Sequence, residues 1–219
     1  MAYKKAEEFR YSYDVSGTDR PTILSFPIAT ATVIEYGERV GLSAGFIVAA
    51  ADTALAVGFS AEPHDGASDG QIGVTIKVYA SPGAVMECVP AELIVADASS
   101  TTNSFLAAAE LGALANDVLI GGHLKMVSST NLTDGQVIAI TDSVTSTGEV
   151  VTAGEEVFAE ADTAILFPPV GSVVVGMDSD GTNLFLEEAG TELRVVAVDF
   201  VSEKVYVMNI GHQLATVND

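Results

Sequence analysis

Short apolar runs rich in Val, Ile, Ala and Thr recur along this chain, each closed by glycine, serine or aspartate. A repeat of roughly ten residues leaves no room for helices of ordinary length between the runs, so it predicts many short strands joined by tight turns, as in a barrel or a sandwich. The rhythm is clear over residues 27–95. Thr30-Ala31-Thr32-Val33-Ile34-Glu35 is a β-branched run that ends at Tyr36-Gly37, and Phe46-Ile47-Val48 and Leu55-Ala56-Val57-Gly58-Phe59 are apolar runs of strand length. His64-Asp65-Gly66-Ala67-Ser68-Asp69-Gly70 holds two Asp-Gly pairs and reads as a loop, followed by an alternating, half-buried strand over 72–78. After Gly122 the spacing predicts strands over 124–127, 136–141, 149–152, 173–177, 192–199 and 204–209, with Pro168-Pro169 marking a turn.

One stretch departs from the rhythm. Phe105-Leu106-Ala107-Ala108-Ala109-Glu110-Leu111 is rich in helix formers, and Ser99 to Ser104 can supply an N-cap. A short helix is expected within 103–117, joining two β units. The expected fold is therefore all-β: an extended N-terminal arm (1–27), a first barrel- or sandwich-like unit (28–97), a helical linker (98–122) and a second such unit (123–219). Internal similarity supports two units. Gly37-Glu38-Arg39-Val40 precedes Ala54-Leu55-Ala56-Val57-Gly58 much as Gly154-Glu155-Glu156-Val157 precedes Ser172-Val173-Val174-Val175-Gly176.

Hydrophobic residues make up 48% of the chain, enough to bury a core, and mean hydropathy is +0.38. Thirty acidic residues against nine basic ones give a net charge of −21, which repels phosphate backbones and anionic bilayers, so neither nucleic acid nor membrane is an expected partner. Aromatic residues are few and tryptophan is absent, unlike an enzyme built around a deep aromatic pocket. The longest apolar stretch, 45–59, is interrupted by Asp52 and too short to span a bilayer. Residues 1–10 lack the apolar region of a secretion signal, so Asn131-Leu132-Thr133 is expected to match a glycosylation acceptor by chance.

The first twenty residues differ from the rest. Lys4, Lys5, Arg10 and Arg20 balance Glu7, Glu8, Asp14 and Asp19, so the remaining residues carry the whole negative charge. Tyr3, Phe9, Tyr11 and Tyr13 also cluster here, the last three alternating as in a strand with one aromatic face. Such a segment either packs on its own chain or lies on a partner with its rings in partner pockets. These four aromatics are the candidate partner-binding residues.

Signatures of chemistry are missing from the sequence. It has no phosphate-binding glycine loop and no nucleophile elbow, and His64, His123 and His212 stand apart without metal-ligand spacing. Asp178-Ser179-Asp180-Gly181-Thr182-Asn183 begins like a calcium loop, but its glycine falls at the fourth position and not the sixth. Asp65 and Asp69 read equally as turn residues. Glu155-Glu156 and Glu187-Glu188 are adjacent pairs that a strand points to opposite faces, poor geometry for acid–base work. Cys88 is the single cysteine; next to Glu87 in an apolar run, it is expected to be unreactive. No catalytic residue, metal site or cofactor is expected.

The run Thr32-Val33-Ile34-Glu35-Tyr36-Gly37-Glu38-Arg39-Val40, then Ala54-Leu55-Ala56-Val57-Gly58, then Gly73-Val74-Thr75-Ile76-Lys77-Val78 resembles the capsid decoration, or cement, proteins of tailed bacteriophages. The resemblance covers roughly residues 28–96 and, more faintly, 150–200. It implies a β-rich structural protein on the outer surface of the virion head, bound to the major capsid protein, often as a homotrimer at local symmetry axes, and stiffening the shell. On that reading the aromatic arm, or an exposed strand edge, could join a capsid subunit by β-augmentation. Another virion component (tail, fibre or shell), a carbohydrate- or calcium-binding β module, and an enzyme remain as alternatives. The acidity also fits a salt-adapted host.

Overall fold

The computed structural model describes residues 9–15, 17, 20–29, 31–50, 56–66, 74–89, 93–112, 114, 116–144, 147–173, 175–177, 184–186 and 193–210. In chain order the strands are β1 (Arg10–Asp14), β2 (Ile23–Pro27), β3 (Arg39–Ser43), β4 (Phe46–Ala49), β5 (Gly58–Ser60) and β6 (Thr75–Tyr79). Next come β7 (Ala84–Cys88), β8 (Leu93–Val95), β9 (Ser104–Leu106), one helical turn α1 (Ala108–Leu111), β10 (His123–Ser128), β11 (Val137–Val144) and β12 (Glu149–Thr152). The last are β13 (Thr163–Phe167), β14 (Val175–Met177), β15 (Leu184–Leu186), β16 (Leu193–Asp199) and β17 (Lys204–Asn209). The protein is mostly β, as the rhythm predicts. The strands form three antiparallel sheets and a β14–β15 hairpin.

The five-stranded sheet runs β2-β6-β5-β3-β4. Its β3–β4 turn is Ala44-Gly45, both at positive φ (51° and 87°), the two-residue geometry whose twist matches a hairpin. The sheet curls until its edges meet, where Ile28 forms a parallel bridge with Ile47 and the Ala29 N–H donates to the Ile47 carbonyl at 3.2 Å. Ile28, Ile34, Val40, Ile47, Ile76 and Val78 form a core of their own against this sheet.

The six-stranded sheet runs β8-β13-β10-β11-β12-β9 and also curls, its edges joined by the Asp97 N–H to the Leu106 carbonyl at 2.7 Å. Alternation sends Leu124, Met126, Ile138 and Ile140 inward, where they join Phe105 and Val150. β13 is the exception: Ala164 through Phe167 are all buried, so both of its faces are covered.

The four-stranded sheet, β1-β7-β17-β16, is assembled from three distant parts of the chain. Met86, Val195, Val205 and Val207 on its inner face share one core with the six-stranded sheet. Its β16–β17 turn is held by Asp199, whose carboxylate accepts from the Val201 N–H at 2.9 Å and the Ser202 hydroxyl at 2.5 Å. Those bonds hold the Asp199 carboxyl below its usual range. The turn lays Phe200 against Phe167 and His123, and Lys125 Nζ bonds the Phe200 carbonyl at 2.8 Å and Glu203 at 2.7 Å.

Three expectations are corrected. First, the chain is not two units joined by a helix. Pairing crosses both expected boundaries: β7 joins β17, β8 joins β13 and β9 joins β12. Strand rhythm marks where strands lie but not which distant strand satisfies each edge. Second, most of the expected helix is absent. Phe105 lies in β9, with its ring edge-on to Phe158 at 5.3 Å, and Asn103 adopts a left-handed turn (φ 61°) in place of an N-cap. The sixth strand closes the sheet, which outweighs local helix preference, and only α1 remains, its first N–H held by the Asp97 carboxylate at 3.0 Å. Third, the described part of the N-terminal segment is not a separate arm: residues 10–14 and 23–27 are strands built into two sheets. The similar segments also fold differently, since Arg39–Ser43 is a strand whereas Val157 makes only an isolated bridge to Thr102.

Candidate interaction surface

The spacing of Phe9, Tyr11 and Tyr13 predicts one aromatic face, but a register irregularity between Tyr11 and Tyr13 in the β1–β7 ladder splits them. Phe9 and Tyr11 turn inward and Tyr13 outward. Phe9 is fully buried, its ring stacked on Phe59 at 5.8 Å, so it fills its own chain's core and not a partner's pocket. Tyr11 stacks on Tyr79 at 5.2 Å, and the Tyr79 hydroxyl lies 3.3 Å from that of Tyr36. Burial, and then the bond with Tyr36, push the Tyr79 phenol up to about 12. Burial, and then the Asp14 carboxylate, raise Tyr11. Tyr13 remains 41% exposed. Tyr3 lies outside the described residues.

Strand register builds the surface around Tyr13. Residues directly opposite one another share a face, so the outer face of the four-stranded sheet carries two rows. One row reads Arg10, Glu87, Tyr206, Ala197, and the other Tyr13, Val85, Met208, Arg194. Val85 is fully buried in the middle, and the Tyr13 and Tyr206 rings lie 6.4 Å apart. Lys204 Nζ meets Glu87 Oε1 at 2.5 Å, and that bond raises the lysine. Arg10 and Arg194 are exposed at opposite edges of the sheet. Beside Arg194 and Met208 is a depression of about 220 Å³ bounded by Asn209 and Ile210. Tyr206, Met208 and Arg194 escaped sequence reading because they are distant from the arm, and only the β7–β17 pairing brings them to it.

The remaining candidates fall elsewhere. An open cleft of about 540 Å³ lies between residues 33–36 and 63–65, where His64 and Ile34 exchange backbone hydrogen bonds at 2.8 and 2.7 Å. His123 is half-buried against Phe200, which lowers its pKa. Glu155 is exposed, while Glu156 accepts from the Thr152 hydroxyl at 3.0 Å. Asn131 is exposed and bonds the Val157 carbonyl at 3.3 Å. Asp69, residues 178–183, Glu187, Glu188 and His212 lie outside the described residues. Among the described residues, no three His, Cys, Asp or Glu side chains are grouped to hold a metal ion.

Cys88 is buried, its thiol donating to the Val205 carbonyl at 3.6 Å; burial, and then Glu87, push the thiol well above its ordinary range. Iodoacetamide at pH 8 should therefore leave the folded protein unmodified, with intact mass rising by one adduct only in unfolding concentrations of urea. Rapid native labelling would show that solvent reaches the thiol.

The sequence reading also missed Asp162, a carboxylate only 2% exposed. It accepts from the Thr130 N–H at 2.8 Å, the Ala159 N–H at 2.9 Å and the Ser129 hydroxyl at 2.8 Å, tying the β12–β13 turn to the segment after β10. Burial pushes its pKa up, but these bonds outweigh burial and hold the carboxyl below its ordinary range. A depressed carboxylate stabilises the fold fully above its unfolded pKa. That contribution is lost as pH falls below about 4 and through the folded value. Asp162→Asn turns an amide donor toward N–H donors and should cost about 2–3 kcal/mol near neutral pH. The loss should shrink below pH 4, read from urea unfolding at several pH values. An unchanged midpoint at pH 7 would refute this role.

No family model, curated protein or solved structure matches the chain.

Proposed function

We propose that this chain is a structural virion protein, without catalysis, that binds the major capsid protein on the outer surface of a tailed-phage head and stabilises the assembled shell. The observation that carries the reading is where the resembling segments meet. Those around residues 39–40, 56–58 and 74–78 run through β3, β5 and β6, which are neighbours in one curled sheet. A cadence dispersed over nearly fifty residues thus becomes one continuous structural patch. Tyr13 and Tyr206, placed by strands, offer a preformed face, which lowers the ordering cost of docking. A homotrimer at local symmetry axes of the head is the assembly this reading favours.

The test is co-sedimentation of the purified chain with expanded, empty heads built from the capsid protein of the phage that encodes it. Saturable binding at a fixed ratio to capsid subunits, with greater resistance of the heads to heat or chelator, is the expected result. Absence of saturable binding would overturn the proposal.

A further inference from the structure

We propose that the open edge of β2 pairs with the same edge of a second copy, antiparallel and about a two-fold axis at Leu24. The contact requires neither the capsid nor the trimer of the reading above, since it joins two chains or two trimers alike.

The direction of the backbone hydrogen bonds along β2 carries the argument. The Ala80 N–H donates to the Thr22 carbonyl at 2.9 Å and the Ile28 N–H to the Val74 carbonyl at 3.2 Å, in the register that sets Leu24 opposite Val78 and Phe26 opposite Ile76. Residues 22, 24, 26 and 28 therefore bond toward β6, and residues 21, 23, 25 and 27 turn their backbone groups the other way. Among the described residues, β4 meets that side at Ile28 and Ile47, and the stretch before them stands open. Pro21 and Pro27 have no N–H, so the open donors are those of Ile23 and Ser25. Neither bonds anything among the described residues. The two prolines bound this pair symmetrically about Leu24.

Such an edge is complementary to itself. In an antiparallel pairing about Leu24, Ile23 faces Ser25 of the second copy and Ser25 faces its Ile23, so every open donor meets a carbonyl and proline falls opposite proline. The side chains agree. Leu24 lies on the inner face of the sheet, opposite the fully buried Val78, yet is 41% exposed, and Ile23 on the outer face is 45% exposed. The sequence carries no charge from Pro21 to Ile34, and the β2–β6 ladder has no bulge, so between its prolines the edge lacks the devices that hold edge strands apart. Beside it Lys77 is paired with Glu62 at 3.1 Å. The edges of the other two large sheets differ: β8 and β9 close on each other, β16 bonds Gly171 and Ser172 through Val195, and β1 bears Arg10 and Asp14. In a chain of net charge −21, an uncharged edge is where two copies meet without setting like charges against each other.

Light scattering coupled to size exclusion, over a wide range of protein concentrations, tests this. The wild-type mass is expected to rise with concentration to an even multiple of 22.6 kDa. Ser25→Pro removes only an N–H that faces away from β6, so it should keep the far-UV circular dichroism and thermal midpoint and halve that mass. Ile23→Lys, which sets a charge on each edge, should halve it too, and decides the matter if the proline disturbs the fold. Leu24→Cys reads the register. Its two copies would form a non-hydrogen-bonded pair with Cα atoms about 4.5 Å apart, within reach of a disulfide. Mild oxidation should therefore give a covalent dimer, whereas Ile23→Cys, similarly exposed but facing Ser25 of the second copy, should not. Cys88 is buried and does not compete. A wild-type monomer at every concentration would overturn the proposal and leave the capsid reading to its own sedimentation test. A mass that neither Ser25→Pro nor Ile23→Lys lowers would leave a homo-oligomer standing and overturn the edge. Equal cross-linking of the two cysteine variants would overturn the two-fold register at Leu24.

Discussion

Phe9→Ala is expected to destabilise the protein by about 3–5 kcal/mol, the usual cost of emptying a fully enclosed aromatic site. Phe9 precedes β1, where an unpacked arm would show little loss. Its ring, however, is wholly buried against Phe59 of the five-stranded sheet while it shares the large core with Met86 and Val207. The backbone is equally committed: a Cβ on Gly37, which sits at φ 76°, would collide with the Phe9 carbonyl. Truncation therefore opens a cavity where two sheets meet and loosens β1 at the edge of its sheet. Urea unfolding measures the first effect, and faster tryptic cleavage at Arg10 under native conditions measures the second. A loss below about 1 kcal/mol, well short of core truncations, would mean that residue 9 does not hold the fold, and the partner-bound reading of its ring would return.

Arg39→Ala is expected to cost a similar amount, about 3–5 kcal/mol, because it removes a buried charge from an arrangement built to satisfy it. Arg39 in β3 is 1% exposed, and its Nε donates to Asn209 Oδ1 of β17 at 3.1 Å. That bond joins the five-stranded sheet to the four-stranded sheet across 170 residues of chain. Arg39→Lys keeps the charge but cannot place a donor where Nε lies, so an intermediate loss is expected. Denaturant midpoints of the two variants, with m-values to verify two-state unfolding, decide the matter. Equal stability of Arg39→Ala and wild type would remove this link as a determinant of how the sheets are joined.

Strand positions were legible from the sequence where one face is wet. Alternation placed strands near β10, β11, β12, β16 and β17 to within a few residues, because half-buried strands print a period of two. β13 was not foreseen: Ala164-Ile165-Leu166-Phe167 is buried on both faces and prints no alternation. Partner choice was illegible for a different reason. Nothing local in Leu93–Val95 distinguishes a neighbour in β6 from one in β13, and the decision rests on which arrangement closes both curled sheets. The candidate surface was half legible. The aromatic spacing singled out β1, but the irregularity between Tyr11 and Tyr13 that turns one ring out and two in is a property of the pairing with β7. Arg39 and Asp162 carried no sequence signal, since a buried charge looks like a surface one until its partners are placed.

The four-stranded sheet also sets the order of events during synthesis. β1 and β7 can pair once both are made, but the other edge of β7 stays open until β17, more than a hundred residues later, has left the ribosome. Until then Phe9, Met86 and Cys88 have no lid, and a long-range closure of this kind is slow and exposes apolar surface to other nascent chains. The five-stranded sheet, complete by residue 79, has no such wait, so the protein is expected to mature from its first curled sheet outward, with the β7–β17 pairing among the last to form.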